Sequence, residues 1–329
     1  MNLLVLGGTR FLGRHLVEAA LARGDRVTLF HRGRTGAQLF PGAEHVLGDR
    51  DGGLAALAGR SFDAVVDTCG YFPRVVGASA AALAGAAGHY TFVSSISAYA
   101  SPLPAHAGED APLATLADPA TEDLAGGSYG GLKAACERAV AERFGAPALI
   151  VRPGLIVGPS DPTERFTYWP RRLVRGGDVL VPAAPELPVQ VVDARDLAAW
   201  MLARIDAGDG GTYNAVGPAA TLTLRACLER IAAAIGARPE LVWVDEAFLL
   251  ARGVEPWTGL PLWVPPEEAT FSCVSAARAI ASGLALRPLE DTARDTLAWD
   301  RSRPEDQRTN ERLLTREREA ELLAEWARR

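Results

Sequence analysis

Short hydrophobic runs alternate with longer, alanine-rich stretches through the first half of the chain. Runs of this kind are typical of strands buried on both faces of a parallel sheet, and the alanine-rich stretches predict helices that cover it. The pattern therefore predicts an α/β fold with a doubly wound parallel sheet. The predicted strands are Leu3–Leu6, Arg26–Phe30, His45–Leu47, Ala64–Asp67, Tyr90–Val93 and Ala148–Arg152, and the predicted helices are Phe11–Ala22, Val75–Ala87 and Tyr129–Phe144.

The second half of the chain loses this rhythm after Pro153, where glycine and proline mark successive turns. We predict that the chain then returns to the sheet through the strand Val189–Val192, a helix that begins at Leu197, and the strand Thr212–Val216. No regular alternation follows them. A second structural unit is therefore expected beside the sheet.

These patterns predict two domains. Residues 1–160 with 189–217 form the larger, sheet-containing domain, and 161–188 with 218–329 form a smaller C-terminal domain. Leu314–Arg328 begins with acidic residues and ends with arginines, as expected of an amphipathic terminal helix whose charges match its dipole.

Composition narrows the possible functions. The chain has 329 residues, enough for a substantial core, and its net charge of −6 argues against a surface that mainly binds polyanions. Its four cysteines are dispersed and, with five scattered histidines, predict neither disulfides nor a metal site. The N-terminus lacks the features of a signal peptide, and no segment is long enough to span a membrane. We expect a soluble, cytoplasmic protein.

A glycine-rich turn joins the first predicted strand to the first predicted helix. Its sequence is Gly7-Gly8-Thr9-Arg10-Phe11-Leu12-Gly13. Gly7 allows a tight turn, and Gly13 allows close packing of the helix on the strand. The helix N-terminus then faces a pyrophosphate, as in the dinucleotide-binding Rossmann fold. The segment predicts a dinucleotide site, with Arg10 in the place of the usual middle glycine.

The end of the second predicted strand bears on the choice of cofactor. An acidic residue there usually binds the ribose 2′-OH of NAD, but this chain has arginines at Arg32 and Arg34. Both suit a 2′-phosphate, so NADP(H) is favoured and NAD(H) stays possible. The alternative is that both arginines point to solvent. After the third strand, Asp49 is placed to bind the adenine amino group, with Arg50 beside it, or is simply a surface turn residue.

Lys133 is the only lysine among the 34 basic residues, four positions after Tyr129. Residues at i and i+4 of a helix share one face, so the ammonium can lower the pKa of the phenol. Tyr129 could then act as an acid or base, and Lys133 could also hold the cofactor ribose. An ordinary tyrosine beside a leftover surface lysine is the alternative.

Hydroxyl groups follow the strand Tyr90–Val93, at the sheet edge where parallel sheets bind ligands. Ser95 would bind the oxygen of a substrate carbonyl or alcohol. Ser94 and Ser97 are neighbouring alternatives, and Ser97 is a candidate substrate contact.

Together these segments resemble the short-chain dehydrogenase/reductase superfamily, in the extended or atypical branch often called the NAD-dependent epimerase/dehydratase family. The resemblance covers about residues 1 to 217 and implies Ser95, Tyr129 and Lys133 as catalytic residues. Ser95 is preferred because, as in that family, it precedes a tyrosine, Tyr99, by four residues. The other matching segments are Gly7–Gly13, Asp49, Arg152-Pro153-Gly154, Val157-Gly158-Pro159 and Val192–Asp196.

The resemblance leaves several reactions open. The family's dehydratases carry an Asp-Glu pair after the catalytic serine or threonine, whereas this chain has Ile96-Ser97. An epimerase would need a retained NAD, which the arginines at the second strand do not favour. A one-step reduction of a carbonyl by NADPH, or the reverse oxidation, is therefore the leading hypothesis, with the nucleotide-sugar epimerase as alternative. Arg165 could bind an anionic substrate and Tyr168 or Trp169 could stack on a ring, unless they only pack a lid.

A different class of function is binding without turnover. The glycine-rich turn is similar to that of an atypical subgroup that includes chloroplast stem-loop RNA-binding proteins, and Arg171, Arg172 and Arg175 are a candidate basic stretch. The acidic net charge and the intact Ser95, Tyr129 and Lys133 argue against it, so nucleic acid is not the expected partner. The resemblance also implies a homodimer.

Overall fold

The computed structural model describes residues 1–124, 128–308, 310 and 312–329. Its strands are β1 (Asn2–Leu6), β2 (Arg26–His31), β3 (Glu44–Leu47), β4 (Phe62–Asp67), β5 (Ala87–Val93), β6 (Ala148–Pro153), β7 (Leu155–Val157), β8 (Asp178–Pro182), β9 (Pro188–Val189), β10 (Val191–Asp193), β11 (Gly211–Ala215), β12 (Leu222–Thr223) and β13 (Glu240–Val244). Its α-helices are α1 (Phe11–Ala22), α2 (Pro73–Leu83), α3 (Tyr129–Phe144), α4 (Tyr168–Leu173), α5 (Ala194–Asp206), α6 (Leu224–Ala234), α7 (Glu246–Leu250), α8 (Ala277–Ala281), α9 (Leu289–Ser302) and α10 (Arg316–Trp326).

Seven strands form the central sheet in the order β11-β6-β5-β4-β1-β2-β3, and every neighbouring pair is parallel. The chain builds outward from β1 to β3 and then returns to β4 on the other side of β1. The strand order thus reverses between β1 and β4, the position where doubly wound sheets bind ligands. The predicted Rossmann-like α/β fold is confirmed.

The sheet is buried on both faces. Leu3 and Val5 contact one helical layer, which includes residues of α1 and α5, whereas Leu4 and Leu6 contact the other, which includes residues of α2 and α3. All four side chains are fully buried. Two-sided burial explains why the central strands are almost continuously hydrophobic instead of alternating with polar residues.

Two sequence predictions need correction. The helix expected over Val75–Ala87 ends at Leu83, because Ala87 already pairs with Phe62 of β4. The strand expected over Val189–Val192 divides at Gln190 into β9 and β10. Neither joins the central sheet, since β9 pairs with β12 and β10 with β7. In both places tertiary pairing overrides local preference.

A second hydrophobic core lies beside the sheet and draws its residues from 155–322. Its largest fully buried side chains are Trp169 and Trp263. The indole of Trp169 donates a hydrogen bond of 3.0 Å to the carbonyl of Pro261, so its one polar atom is satisfied. The division into two domains stays a prediction. No helix in the described part of the chain is long and apolar enough to cross a membrane.

We expect Trp169→Ala to lower the free energy of unfolding by about 3–5 kcal/mol, because it leaves a large cavity and an unpaired carbonyl. Urea denaturation followed by circular dichroism measures this change. Leu250→Ala is the matched control: Leu250 is 52% exposed, and its truncation should change the value by less than about 0.5 kcal/mol. Equal effects of the two substitutions would contradict the placement of Trp169.

Candidate active site

The glycine-rich turn is held tightly between β1 and α1. Gly7 and Gly8 have φ angles of 97° and 87°, which favour glycine. A Cβ atom on Gly13 would lie 2.9 Å from the Cα of Gly8, so helix and turn approach as closely as the sequence predicted. Arg10 precedes α1 without a side-chain hydrogen bond to the helix. The N-terminus of α1 therefore offers backbone N–H groups to an anion, and the turn fits a dinucleotide pyrophosphate.

The remaining residues of the turn have different surroundings. Thr9 lies 3.1 Å from Thr35, between their hydroxyl oxygens, and Arg10 is exposed. Phe11 is half-buried with a φ of 38°. Leu12 is buried among core residues, so only its backbone is available to a ligand.

The proposed cofactor-selecting arginines lie at the surface beyond β2. Arg32 and Arg34 are both exposed. A guanidinium nitrogen of Arg32 lies 3.9 Å from a carboxylate oxygen of Asp49, which brings these two predicted residues together. Among the described residues, Arg34 forms no ion pair within 4.0 Å. An exposed guanidinium at this position is available to a 2′-phosphate.

Arg50, also predicted to bind cofactor, instead forms a buried ion pair with Asp67. Two bonds of 2.7 Å join its guanidinium to the carboxylate, and Ser79 accepts another from it at 3.0 Å. Burial opposes ionisation of Asp67, but the facing guanidinium offsets this and holds the pKa of Asp67 below its usual value. The hydroxyl of Tyr90 also donates to Asp67, at 3.0 Å. This arrangement fixes the end of β4, beside the glycine turn.

Lys133 is buried between α3 and the ends of β4 and β5 instead of lying on the surface. Its side chain is only 4% exposed. The ammonium donates to the backbone carbonyls of Gly70 and Val93, at 2.8 and 2.7 Å, and lies 4.4 Å from the centre of the Phe92 ring. Burial lowers the pKa of the Lys133 ammonium to about 8, and the nearby Cys136 and Asp67 partly oppose this shift. The single lysine thus occupies a site built for a compact cation.

The hydroxyl of Ser95 lies close enough to the phenol of Tyr129 to act on its pKa. Burial and the neighbouring Tyr71 raise the pKa of the phenol, and Ser95 and the cation of Arg165 only partly counteract them. The predicted lowering of this pKa by Lys133 was therefore wrong, because the ammonium donates to the carbonyls of Gly70 and Val93 instead. Ser95 also accepts a bond from the backbone N–H of Ser97, at 3.1 Å. The phenol is therefore protonated at neutral pH and is poised to donate a proton.

Ser94, which was one alternative to Ser95, has a different partner. Its hydroxyl donates to Glu137, which lies one turn beyond Lys133 on α3. Glu137 also accepts two bonds from Arg152, at 2.9 and 2.6 Å. Arg152 donates at 3.0 Å to the hydroxyl of Tyr99, which donates to Asn214 at 2.7 Å. This buried network fixes the loop after β5 against α3, β6 and β11.

Two features of this site were not predicted from the sequence. Gly130 is one: a Cβ atom there would lie 2.1 Å from the carbonyl oxygen of Ser97, so α3 reaches the serine loop only because the residue is glycine. Glu137 is the other. Its spacing of four from Lys133 was visible in the sequence, but its partner Arg152 lies on β6, a separate element.

Two of the predicted substrate contacts, Arg165 and Tyr168, lie in different surroundings. Arg165 is half-buried, lies on the wall of a cavity of about 740 Å³, and acts electrostatically on Tyr129. Thr163 accepts a bond from it at 3.1 Å, and among the described residues no carboxylate forms an ion pair with it. Tyr168 is buried in the second core with its ring against Trp169, and its hydroxyl has no partner among the described residues. Arg165 is thus the better placed of the two to meet a substrate.

A family model matches residues 3–216, nearly two thirds of the chain, and its description is "NAD dependent epimerase/dehydratase family". The chain belongs to this family. The match includes the glycine-rich turn, Ser95, Tyr129 and Lys133. No curated protein matches the chain. Family membership makes this cleft the candidate site of a nicotinamide-dependent enzyme.

Solved structures with a similar fold match almost the whole length of this chain. Thermus thermophilus UDP-glucose 4-epimerase, solved with NAD, has a TM-score of 0.66 at 21% identity, covering 92% of this chain and 100% of its own. The Bordetella bronchiseptica enzyme WbmH, solved with NAD⁺, has a TM-score of 0.64 at 19% identity, covering 92% and 99%. WbmG of the same organism, solved with NAD and UDP, has a TM-score of 0.68 at 17% identity, covering 91% and 94%. At these identities the likeness establishes the fold.

We expect Asp67→Asn to destabilise the protein by about 3–5 kcal/mol, because it leaves the buried guanidinium of Arg50 without a counter-charge. Since the folded-state pKa of Asp67 is lowered, its contribution is present above the unfolded pKa of about 3.9 and is lost as the pH falls further. Chemical denaturation at neutral pH measures the effect. The control is Asp51→Asn, which removes an exposed pair with Arg74 and should leave the unfolding midpoint unchanged. Equal midpoints for the two variants would contradict the buried pair.

Proposed function

We propose that this protein is an NAD(P)-dependent oxidoreductase that transfers hydride between the cofactor and a small-molecule carbonyl or alcohol. The observation that carries the proposal is the closeness of the Ser95 hydroxyl to the phenol of Tyr129, one helical turn from the buried ammonium of Lys133. A bound nicotinamide cofactor would supply the hydride chemistry. The protein supplies the proton and the orientation of the substrate.

The described residues fit such a cofactor. The glycines let the turn pack closely against its neighbours and against α1, and the N-terminus of α1 would hold the pyrophosphate. Asp49 would hold the adenine, and Lys133 has a third N–H for the ribose. Arg50 would act indirectly, since its guanidinium is bound to Asp67.

The protonated phenol of Tyr129 favours the direction of reduction. In that direction Ser95 and Tyr129 both bind the carbonyl oxygen, and Tyr129 gives its proton to that oxygen as it gains negative charge. The ammonium of Lys133 stabilises the phenolate that remains. In the reverse direction Tyr129 must first lose its proton, which its raised pKa opposes.

We favour NADP(H) as cofactor because Arg32 and Arg34 are exposed at the end of β2, and the segment that ends this strand has no acidic residue of its own for a ribose 2′-OH. The NAD complexes of the similar structures support the alternative, NAD(H). They also support a second candidate function, epimerisation of a nucleotide sugar, in which the hydride returns to the same carbon. An epimerase would retain NAD through purification, whereas a reductase would exchange its cofactor.

We further propose that the substrate is anionic and that Arg165 binds it. A half-buried guanidinium that forms no ion pair within 4.0 Å among the described residues is well suited to recognise an anion that enters the cavity. From Arg165, the positive charge also acts on Tyr129, so one residue would couple substrate position to proton transfer. A homodimer stays a prediction, to be checked by light scattering.

We expect the double variant Arg32→Ala/Arg34→Ala to bind NADPH about tenfold more weakly, through loss of charge-assisted bonds to the 2′-phosphate, with NADH affinity unchanged. Quenching of tryptophan fluorescence measures both affinities. Arg238→Ala removes an exposed arginine far along the chain and controls for total charge. Equal losses for both nucleotides, or a wild-type preference for NADH, would contradict the 2′-phosphate role.

We expect Tyr129→Phe to reduce turnover at least about 100-fold while NADPH still binds, because the phenol acts on the substrate and not on the nucleotide. Oxidation of NADPH is followed at 340 nm over a panel of anionic aldehydes and ketones. Tyr213→Phe, which removes a hydroxyl on β11, should retain activity. Turnover that survives in Tyr129→Phe would exclude Tyr129 as the proton donor.

A further inference from the structure

Two histidines, one at the end of β2 and the other near the start of β3, are hydrogen-bonded to each other. Nε2 of His31 lies 2.9 Å from Nδ1 of His45. The backbone N–H of Gly33 donates to Nδ1 of His31 at 3.0 Å, and Nε2 of His45 lies 3.2 Å from the carbonyl oxygen of Phe40. The four groups form one continuous chain of hydrogen bonds.

The chain of bonds fixes the protonation of both rings. Because Gly33 is a donor, Nδ1 of His31 must be bare, so the ring proton lies on Nε2 and is donated to His45. His45 therefore carries its own proton on Nε2 and donates it to the carbonyl of Phe40. The three bonds together accommodate two ring protons. A third proton, wherever it binds, places two donors face to face and breaks one of the bonds.

This pair anchors the segment that carries the proposed cofactor-selecting arginines. Gly33 and Phe40, the two points that the pair binds, bracket most of the loop between β2 and β3, and Arg32 and Arg34 lie at its start. The same loop reaches the glycine-rich turn through the contact between Thr35 and Thr9. Breaking the chain of bonds would release the loop from the sheet on the side that faces the nucleotide.

The surroundings favour neutral rings. His31 is 7% exposed, and burial, followed by the neighbouring His45, lowers its pKa below the usual value. Facing groups on the adjacent elements are engaged elsewhere: Glu44 of β3 with Arg60 and Thr28, and Arg32 near Asp49. On α1, which packs on the same face of the sheet, Arg14 and His15 both bond to Glu18. Among the described residues, no carboxylate forms an ion pair with His31 or His45.

We infer that His31 and His45 are positioning residues for the cofactor: as a neutral, hydrogen-bonded pair they hold the 33–40 loop against the sheet, and uptake of one proton releases it and weakens nucleotide binding. The inference rests on the proposed function for its cofactor, while the state of the pair itself is independent of any ligand. Because the folded-state pKa of His31 is lowered, the stabilisation is present above the unfolded value of about 6.5 and is lost as the pH falls.

The pair itself is tested by ¹⁵N NMR of the imidazoles of the full-length protein without nucleotide. We expect bare Nδ1 and protonated Nε2 in both His31 and His45 at about pH 7.5, and a shift of the Gly33 amide when the pair takes up a proton at lower pH. Single substitutions of the five histidines assign the signals. A proton on Nδ1 of His31 at about pH 7.5, or a Gly33 amide that does not respond to the titration, would overturn the inference.

The effect on the cofactor is tested by calorimetric titration with NAD⁺, which lacks the 2′-phosphate that itself titrates near neutral pH. We expect Kd to rise about threefold to fivefold between about pH 7.5 and about pH 5.5, because a pKa difference of one unit between free and bound protein gives its tenfold limit only where both forms are protonated. In His31→Asn the amide oxygen can still accept from Gly33 but does not titrate, so the ratio of the two Kd values should approach one. The exposed His106→Asn should keep the wild-type ratio.

The outcomes are distinguishable. A His31→Asn protein with the wild-type pH dependence would overturn the inference while leaving the oxidoreductase proposal intact. If neither NAD⁺ nor NADPH binds at any pH, the proposed function and the cofactor role of the pair both fail. If His31→Asn does not fold by circular dichroism, the wild-type NMR titration together with the pH dependence of wild-type NAD⁺ binding decides.

Discussion

The arrangement of the candidate active site depends on one buried charge. The ammonium of Lys133 bonds to carbonyl groups that follow β4 and end β5, so a side chain of α3 joins the ends of two neighbouring strands. Burying an ammonium is costly unless its donors are satisfied, and two short bonds and the Phe92 ring meet that requirement. The position of α3, and hence of Tyr129, is tied to the sheet by this requirement.

Two further buried ionic groups support the same region from either side. Arg50 and Asp67 fix the end of β4, and Glu137 and Arg152 fix the loop after β5. Breaking either pair would destabilise the protein more than forming the pair stabilises it. The pairs therefore act mainly by specifying one arrangement of the strand ends. Ser95 lies next to the loop residue that Glu137 binds, which places its hydroxyl at the phenol of Tyr129.

Much of this structure was predictable from local pattern. Continuous hydrophobic runs predicted the central strands because both faces of the sheet are buried, and the glycine spacing predicted the turn before α1. The spacing of Tyr129 and Lys133 predicted their shared helix face. These features depend on residues close together in sequence, where helix and strand geometry are sufficient.

The features that the sequence did not disclose depend on distant partners. Arg50 was expected at the cofactor, but its partner Asp67 is seventeen residues away on another strand. Tyr168 was expected near the substrate, yet α4 turns its ring into the second core, a direction set by packing. The histidine pair likewise requires β2 and β3 to be in register, which no local pattern specifies.

The solitary position of Lys133 has a practical consequence for studying this fold. Apart from the chain's amino terminus, it is the sole aliphatic amine, and it is 4% exposed. A lysine-specific endoprotease therefore has one peptide bond to cut, in the middle of α3, and can reach it only when that helix separates from the sheet. Appearance of two fragments on a gel would report the opening of α3, and a ligand that binds only the closed state would slow this cleavage by mass action.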